Sequence, residues 1–256
     1  MKLLAPLPTR PAGALRKAAE AGTALWLDHR HTPPSASLPH TGGETDENVQ
    51  GVLLPGGPAL RADAGPAAIL AAAAGDRTAT MGPVHSVTGY RQVMDRVLTA
   101  LETAVAAGTP PPPLPLAIEY SVPGADAAAD ARLDLVGGWE AKAMRGRAGL
   151  AGAHLVYAAL RHDLTTDRWA RLAASGARAP HLLWTATGPS VTVDRSVHYA
   201  ERCLFPGTGL ALSPAVLREF GERGVVTGPT APDAVGARRV VDTLTWFGVR
   251  LDTDAG

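Results

Sequence analysis

A carboxylate, two imidazoles and a guanidinium stand together where an apolar segment of the sequence ends. The segment Thr23–Asp28 (TALWLD) is followed directly by His29, Arg30 and His31. Imidazole and carboxylate groups are common metal ligands. Because neighbouring residues at a strand end point to opposite sides, however, this spacing favours histidines in a solvated loop over histidines at a metal. We therefore interpret them as loop residues and expect no metal.

Further carboxylates lie in or near apolar segments. Glu119 belongs to the apolar run 114–120 (LPLAIEY), and Glu201 lies near another apolar segment. A positioned carboxyl group can act as a general acid or base, and either residue could share that work with Asp28. Asp28 and Glu119 are therefore the candidate catalytic residues.

The run 181–187 (HLLWTAT) is the clearest strand pattern, because it is apolar and then abruptly hydroxyl-bearing before Gly188. Hydroxyls at a strand end can meet a ligand, so Trp184, Thr185 and Thr187 are candidate ligand-binding residues. The alternative is a core tryptophan with threonines that finish the strand. Both interpretations stay open at this stage.

The basic side chains give a weaker indication of a binding site. Arg145, Arg147 and Arg161 recur along one predicted helix and could contact phosphate, but a solvated helix face is the favoured interpretation. The sequence contains no Walker loop, dinucleotide-binding fingerprint or nucleophile elbow, so the common nucleotide and hydrolase classes are not indicated. We expect no cofactor.

Alternating strands and helices must position these residues, which is the pattern of βα units. Strands are predicted at residues 23–28, 51–54, 78–84, 114–120 and 181–187. Helices are predicted at residues 11–21, 67–74, from Ser86 to the break at Gly108, 139–160, 166–175, from Ser213 to Gly224, and from Asp233 to the end of a stripe formed by Val235, Val240, Val241, Leu244 and Phe247.

Composition limits the partners. Lys+Arg and Asp+Glu both number 24, so no net charge draws in nucleic acid or anionic lipid. Cys203 is the single cysteine, which excludes an internal disulfide and is typical of a small buried hydrophobe. Prolines interrupt the N-terminal apolar residues, and no stretch approaches the length of a membrane span. We expect a cytoplasmic protein with one domain over residues 1–256.

Several long runs resemble the transaldolase family, particularly its actinobacterial branch. They occur in the family's order, at residues 25–28 (LWLD), 51–52, 86–108, 140–158 (EAKAMRGRAGLAGAHLVYA) and 178–188 (RAPHLLWTATG). The resemblance implies a TIM-type (β/α) barrel with its site at the C-terminal strand ends. It also implies ketol transfer between sugar phosphates, as in the pentose phosphate pathway, through a Schiff base on a lysine carried by a strand.

Compared with that family, the sequence looks shortened and degenerate. Between Val52 and Thr78 there are too few residues for the family's third and fourth strands, which carry its catalytic glutamate and lysine. About six strands are recognisable, so we expect an incomplete barrel. Other family site positions fall on Pro55, Thr80, Gly82, Glu119 and Gly124, and only Asp28 matches a family catalytic residue.

The only lysines are Lys2, Lys17 and Lys142, and none lies in a predicted strand. A Schiff-base lysine must be desolvated to be nucleophilic, so we expect ordinary transaldolase activity to be absent. The leading hypothesis is a pseudoenzyme or repurposed homologue that binds a small sugar-phosphate-like ligand or a partner subunit.

Two alternatives remain. One is an active transferase that uses an unexpected lysine, or a lyase or isomerase rebuilt around Asp28 and Glu119. The other is a structural subunit, because an incomplete barrel leaves strand edges that favour a homo-oligomer or a partner chain.

Overall fold

The computed structural model describes residues 13–30, 49–53, 59–75, 78–112 and 116–251. Its strands are β1 (Thr23–Asp28), β2 (Val49–Leu53), β3 (Ala59–Leu60), β4 (Thr80–Val84), β5 (Ala117–Ser121), β6 (His181–Thr185) and β7 (Thr208–Leu212). Its helices are α1 (Gly13–Glu20), α2 (Pro66–Ala73), α3 (Val87–Ala106), α4 (Val122–Val136), α5 (Gly138–Ala143), α6 (Ala148–Asp163), α7 (Asp167–Ala174), α8 (Val193–Arg202), α9 (Pro214–Arg223) and α10 (Ala234–Trp246).

The chain divides into two compact units. The first comprises Met1–Pro55 with Ala186–Ala231, and the second comprises Gly56–Thr185 with Pro232–Gly256. The expectation of one domain over the whole chain stays a prediction.

In the first unit β1 lies between β2 and β7, and both pairings are parallel. All five residues of β7 are buried, as is Leu25 at the centre of β1. The ring of Trp26 lies so close to Gly51 on β2 that a Cβ there would come within 2.6 Å of it. The absence of a side chain at position 51 therefore allows this ring to pack on the neighbouring strand.

In the second unit the parallel strands follow the order β6-β5-β4-β3. The rings of Tyr120 on β5 and Trp184 on β6 meet edge to face, with centroids 5.8 Å apart. The Tyr120 hydroxyl donates to the Gly149 carbonyl of α6 at 3.1 Å, and Gly152 leaves room for it. Helix α10 packs on α6, where Ala237 joins a buried cluster with Ala151 and Leu155.

Parallel strands that alternate with helices confirm the predicted fold class, an α/β fold of the incomplete TIM-barrel type. Seven strands are described where about six were expected. The short interval after β2 holds one small βα unit, β3 with α2. No helix among the described residues is long and apolar enough to cross a membrane.

Helix capping follows the sequence closely. The side chains of Ser86, Ser213 and Asp233 each accept a hydrogen bond from the backbone N–H three residues later, as N-caps do. The stripe predicted for α10 is partly wrong, since Val235 is 66% exposed while Leu244 is fully buried.

The predicted helix over residues 139–160 is partly wrong, because the chain forms two helices there, α5 and α6, with a break at residues 144–147. Gly146 adopts a positive φ of 66° at the break, a conformation that favours glycine. Its N–H donates to the Asp130 carboxylate of α4 at 2.9 Å. Strand β7 and helices α4 and α8 were not predicted at all.

Candidate functional site

Asp28 is the last residue of β1 and is buried, with 2% of its surface exposed. The Arg30 guanidinium donates to it twice, from Nε to Oδ1 at 3.0 Å and from Nη2 to Oδ2 at 2.9 Å. The backbone N–H of Arg30 also donates to Oδ1, at 3.0 Å. This carboxylate therefore has a fixed orientation and a cation beside it.

Two more polar groups lie beside Asp28. The Thr187 hydroxyl is 3.5 Å from Oδ2, at the long limit of a hydrogen bond. His29 is only 4% exposed, so its interpretation as a solvated loop residue is wrong. Burial lowers the pKa of His29 below 6.5, and the charge of Asp28 opposes part of that effect. A neutral imidazole is therefore favoured next to the Asp28–Arg30 pair.

The second unit holds the other candidate carboxylate. Glu119 lies in the middle of β5 and is 4% exposed. Its Oε1 accepts a hydrogen bond of 2.6 Å from the hydroxyl of Thr185, the last residue of β6. The structure thus brings Glu119 and Thr185 together, and it brings Asp28 and Thr187 together in the first unit.

Trp184 lies on the opposite face of β6 from Thr185, because side chains alternate along a strand. It is fully buried against Tyr120, whose hydroxyl reaches α6, so it faces the helices. Its predicted role in ligand binding would require a ligand on that helical side. The catalytic and ligand-binding assignments stay predictions.

Two glycines occupy positions where the resemblance to transaldolases places polar side chains. Gly82 has φ 136°, and a Cβ there would lie 2.7 Å from the Glu119 carbonyl oxygen. Beside Gly124 the His85 ring fills the space, so a Cβ would come within 2.6 Å of it. Backbone geometry therefore disfavours a larger side chain at Gly82, whereas one at Gly124 would require the His85 ring to move.

The described lysines lie on helices and are exposed, Lys17 on α1 and Lys142 on α5. Lys17 lines an open cavity of about 710 Å³ with Glu20 and the segment from Gly224 to Pro229. Lys2 lies outside the described residues. None of the described strands carries a lysine.

The remaining candidates have structural partners. Glu201 accepts a hydrogen bond from the Val225 N–H at 2.7 Å. Arg145 forms ion pairs with Asp130 and Asp134 of α4 and lies in the turn before α6, so it is not part of one long arginine-bearing helix. Arg147 and Arg161 are exposed.

Within the described part of the chain, no group of three or more His, Cys, Asp or Glu side chains could hold a metal ion. His31 and Pro55 lie outside it. Cys203 is a free, buried thiol.

The contact of Arg30 with Asp28 and the position of His85 were not predicted from the sequence. The first had a usable signal, because residues two apart at a strand end can point to the same side. The second had none, since His85 and Gly124 are distant in sequence.

Parallel βα units with buried carboxylates on their strands, one of them at a carboxyl end, define an α/β protein of the TIM-barrel type. No protein-family model matches the chain. Several individual proteins, however, are similar to it in sequence. A transaldolase of Parafrankia sp. (strain EAN1pec) is 34% identical over 169 residues, which are 66% of this chain and 46% of that protein.

Transaldolase 1 of Streptomyces coelicolor is 35% identical over 170 residues, 66% of this chain and 45% of its own length. The transaldolase of Thermobifida fusca is 32% identical over 185 residues, 72% of this chain and 50% of its own length. The chain is thus related to the transaldolase family, as its sequence predicted. It spans about half the length of these relatives.

Proposed function

We propose that this chain is a transaldolase-related protein that forms no Schiff base and has been repurposed to bind a small sugar-phosphate-like ligand or a partner subunit. The observation that carries the proposal is the position of the described lysines, both exposed on helices. A Schiff-base lysine becomes nucleophilic at neutral pH through desolvation, which an exposed amine does not have.

The place of Lys17 supports this view. Its carbonyl accepts a hydrogen bond from the Ala21 N–H just before β1, so Lys17 lies near the amino end of that strand. Asp28 ends the same strand, about 17 Å further along at the usual rise of a strand. TIM-type enzymes build their sites at the carboxyl ends of strands, which is the wrong end for Lys17.

The candidate carboxylates support a changed function as well. Asp28 is bound by Arg30, and a carboxylate in a two-point ion pair is a weak proton acceptor until the pair opens. Gly82 has no room for the side chain that the family would place there, and at Gly124 the His85 ring occupies the corresponding space. Both observations agree with a site that no longer holds those polar groups.

Borohydride trapping with fructose 6-phosphate tests the proposal directly. Sodium borohydride reduces a Schiff base to a stable amine, and intact-mass measurement detects the adduct. We expect no adduct on this chain, while the Thermobifida fusca transaldolase treated in parallel serves as the positive control.

Lysine-to-arginine variants at positions 2, 17 and 142 complete the design, because each removes one amine and keeps its charge. An adduct on the unaltered chain that disappears in one of these variants would identify a working lysine and refute the proposal.

A lyase or isomerase is the second candidate, and the burial of Asp28 and Glu119 favours it. Such an enzyme would need a carboxylate as its acid or base and no lysine. Turnover of a sugar phosphate without a trappable adduct, lost in both Asp28→Asn and Glu119→Gln, would establish this function in place of simple binding.

A further inference from the structure

A cavity of about 640 Å³ lies among the helices of the second unit. The first turn of α3, the C-terminal half of α6 and one face of α10 enclose it. Small-molecule sites in proteins have volumes of roughly 300–1,000 Å³, so this cavity is large enough for a metabolite. It includes none of the lysines, Asp28 or Glu119.

The charges that line this cavity favour an anion. Arg91, Arg238 and Arg250 contribute three positive charges and Asp163 one negative charge, which gives a net charge of +2. Neither Arg91 nor Arg238 forms an ion pair with any residue in the described part of the chain. Guanidinium groups bind phosphate oxygens through paired N–H donors.

Asp163 contributes a hydrogen-bond acceptor to the same cavity. Its Oδ2 accepts a hydrogen bond of 2.9 Å from the hydroxyl of Tyr90, which is fully buried. Burial, with the charge of Asp163, raises the pKa of Tyr90, so the phenol stays protonated and remains a donor. The carboxylate keeps further lone pairs for ligand hydroxyls, as acidic residues do for ribose.

Ser86, Thr88, His162 and Thr245 also line the cavity. The remaining wall is apolar and made of small or branched side chains, including Val87, Leu155, Ala158, Ala159 and Val241. Such a wall can cover a flat ring without selecting its polar edge. The cavity therefore combines arginines for a phosphate, a carboxylate for hydroxyls and an apolar surface for a ring. Its volume exceeds what a phosphate ion or a three-carbon phosphate would fill.

We propose that this cavity binds a nucleoside monophosphate. The phosphate lies against Arg91 and Arg238, a ribose hydroxyl donates to Asp163, and the base packs on the apolar wall. The lining of this cavity includes none of the described lysines and neither candidate carboxylate, so the proposal does not depend on whether the chain forms a Schiff base.

Isothermal titration calorimetry with adenosine 5′-monophosphate tests the proposal on the full chain. We expect saturable binding that is at least tenfold weaker for adenosine and for inorganic phosphate, because each lacks one half of the recognised groups. Arg91→Gln and Arg238→Gln should each weaken binding about tenfold, the usual effect of losing one charge-assisted hydrogen bond.

Arg239→Gln is the matched control, since this exposed arginine neighbours Arg238 on α10 but does not line the cavity. Its affinity should stay within about twofold of the unaltered chain, as expected for a surface change away from the ligand. Hydrogen exchange should show protection by the nucleotide at residues 86–91, 155–163 and 234–245. Absence of binding, equal binding of adenosine, or equal loss in Arg239→Gln would each overturn the proposal.

The borohydride experiment and this titration fail independently. A trapped lysine would refute the proposed function and leave the nucleotide site untouched. A titration without detectable binding would refute the nucleotide site alone.

Discussion

The Arg30 guanidinium binds the Asp28 carboxylate through Nε and Nη2 at 3.0 and 2.9 Å, while only 1% of the Asp28 side chain is exposed. Removing one member of a buried ion pair leaves an uncompensated charge, which costs roughly 3–5 kcal/mol. Loss of the Arg30 guanidinium alone would therefore be expected to destabilise the first unit, because the Asp28 carboxylate would stay buried without its cation.

Arg30→Gln should lower the free energy of unfolding by about 3 kcal/mol, because it leaves the Asp28 carboxylate buried without its cation. Urea unfolding measures the change. Asp28→Asn combined with Arg30→Gln should cost less than the sum of the single variants, since the pair is lost only once. Arg16→Gln, which breaks the exposed pair with Glu20, should change stability by less than about 0.5 kcal/mol. Additive costs for the double variant would contradict the coupling.

Thr185→Val keeps the shape of the side chain and removes the hydroxyl that donates to Glu119 at 2.6 Å. A buried carboxylate that loses a donor is destabilised, so unfolding should become easier by roughly 1.5–3 kcal/mol. The control is Thr103→Val, an exposed threonine whose hydroxyl donates to the Thr99 carbonyl. Equal losses in the free energy of unfolding of the two variants would show that the hydrogen bond to Glu119 stabilises the fold no more than the exposed one does.

Gly152→Ala should destabilise the second unit by about 2–3 kcal/mol, a typical cost of overpacking. The new Cβ would lie 1.9 Å from the Tyr120 hydroxyl oxygen and would displace its bond to the Gly149 carbonyl. Thermal unfolding measures the loss. Gly13→Ala at the start of α1 meets no atom within 4 Å and should be neutral or slightly stabilising. If Gly152→Ala left thermal unfolding unchanged, α6 and β5 would pack less closely than described.

Acid should weaken the fold partly through His29. Because burial depresses its pKa in the folded state, the unfolded chain binds the proton more readily. The stability that neutral His29 contributes is fully present above pH 6.5 and is lost as the pH falls through that value towards the lowered folded pKa. His29→Gln should therefore flatten the decline between about pH 8 and pH 5 in urea unfolding. An unchanged pH profile would argue against a buried neutral imidazole.

Local features of the fold were predictable from the sequence. The caps at Ser86, Ser213 and Asp233 were expected and are confirmed, because each cap acts over three residues and needs no distant partner. The helix α3 was also expected from its apolar spacing, since its buried face follows one helical period.

Features that depend on residues far apart in the chain were not predictable from the sequence. Strand β7 (TGLAL) is short and pairs with β1. In this pairing Thr208 lies opposite Thr23, from which it is distant in the sequence. The break between α5 and α6 depends on Asp130 of α4, which accepts the Gly146 N–H. In both cases the local sequence is compatible with another structure, and tertiary contacts decide.

The sequence by itself determined the chemical inventory of this chain: three lysines outside the predicted strands, acidic residues at positions 28 and 119, and motifs that relate it to transaldolases. Only the tertiary structure decided the surroundings of the site positions, by placing Thr185 against Glu119 and the His85 ring against Gly124. The physical reason is that side-chain types are local, whereas burial and hydrogen-bond partners depend on strand register and packing between residues far apart in the chain.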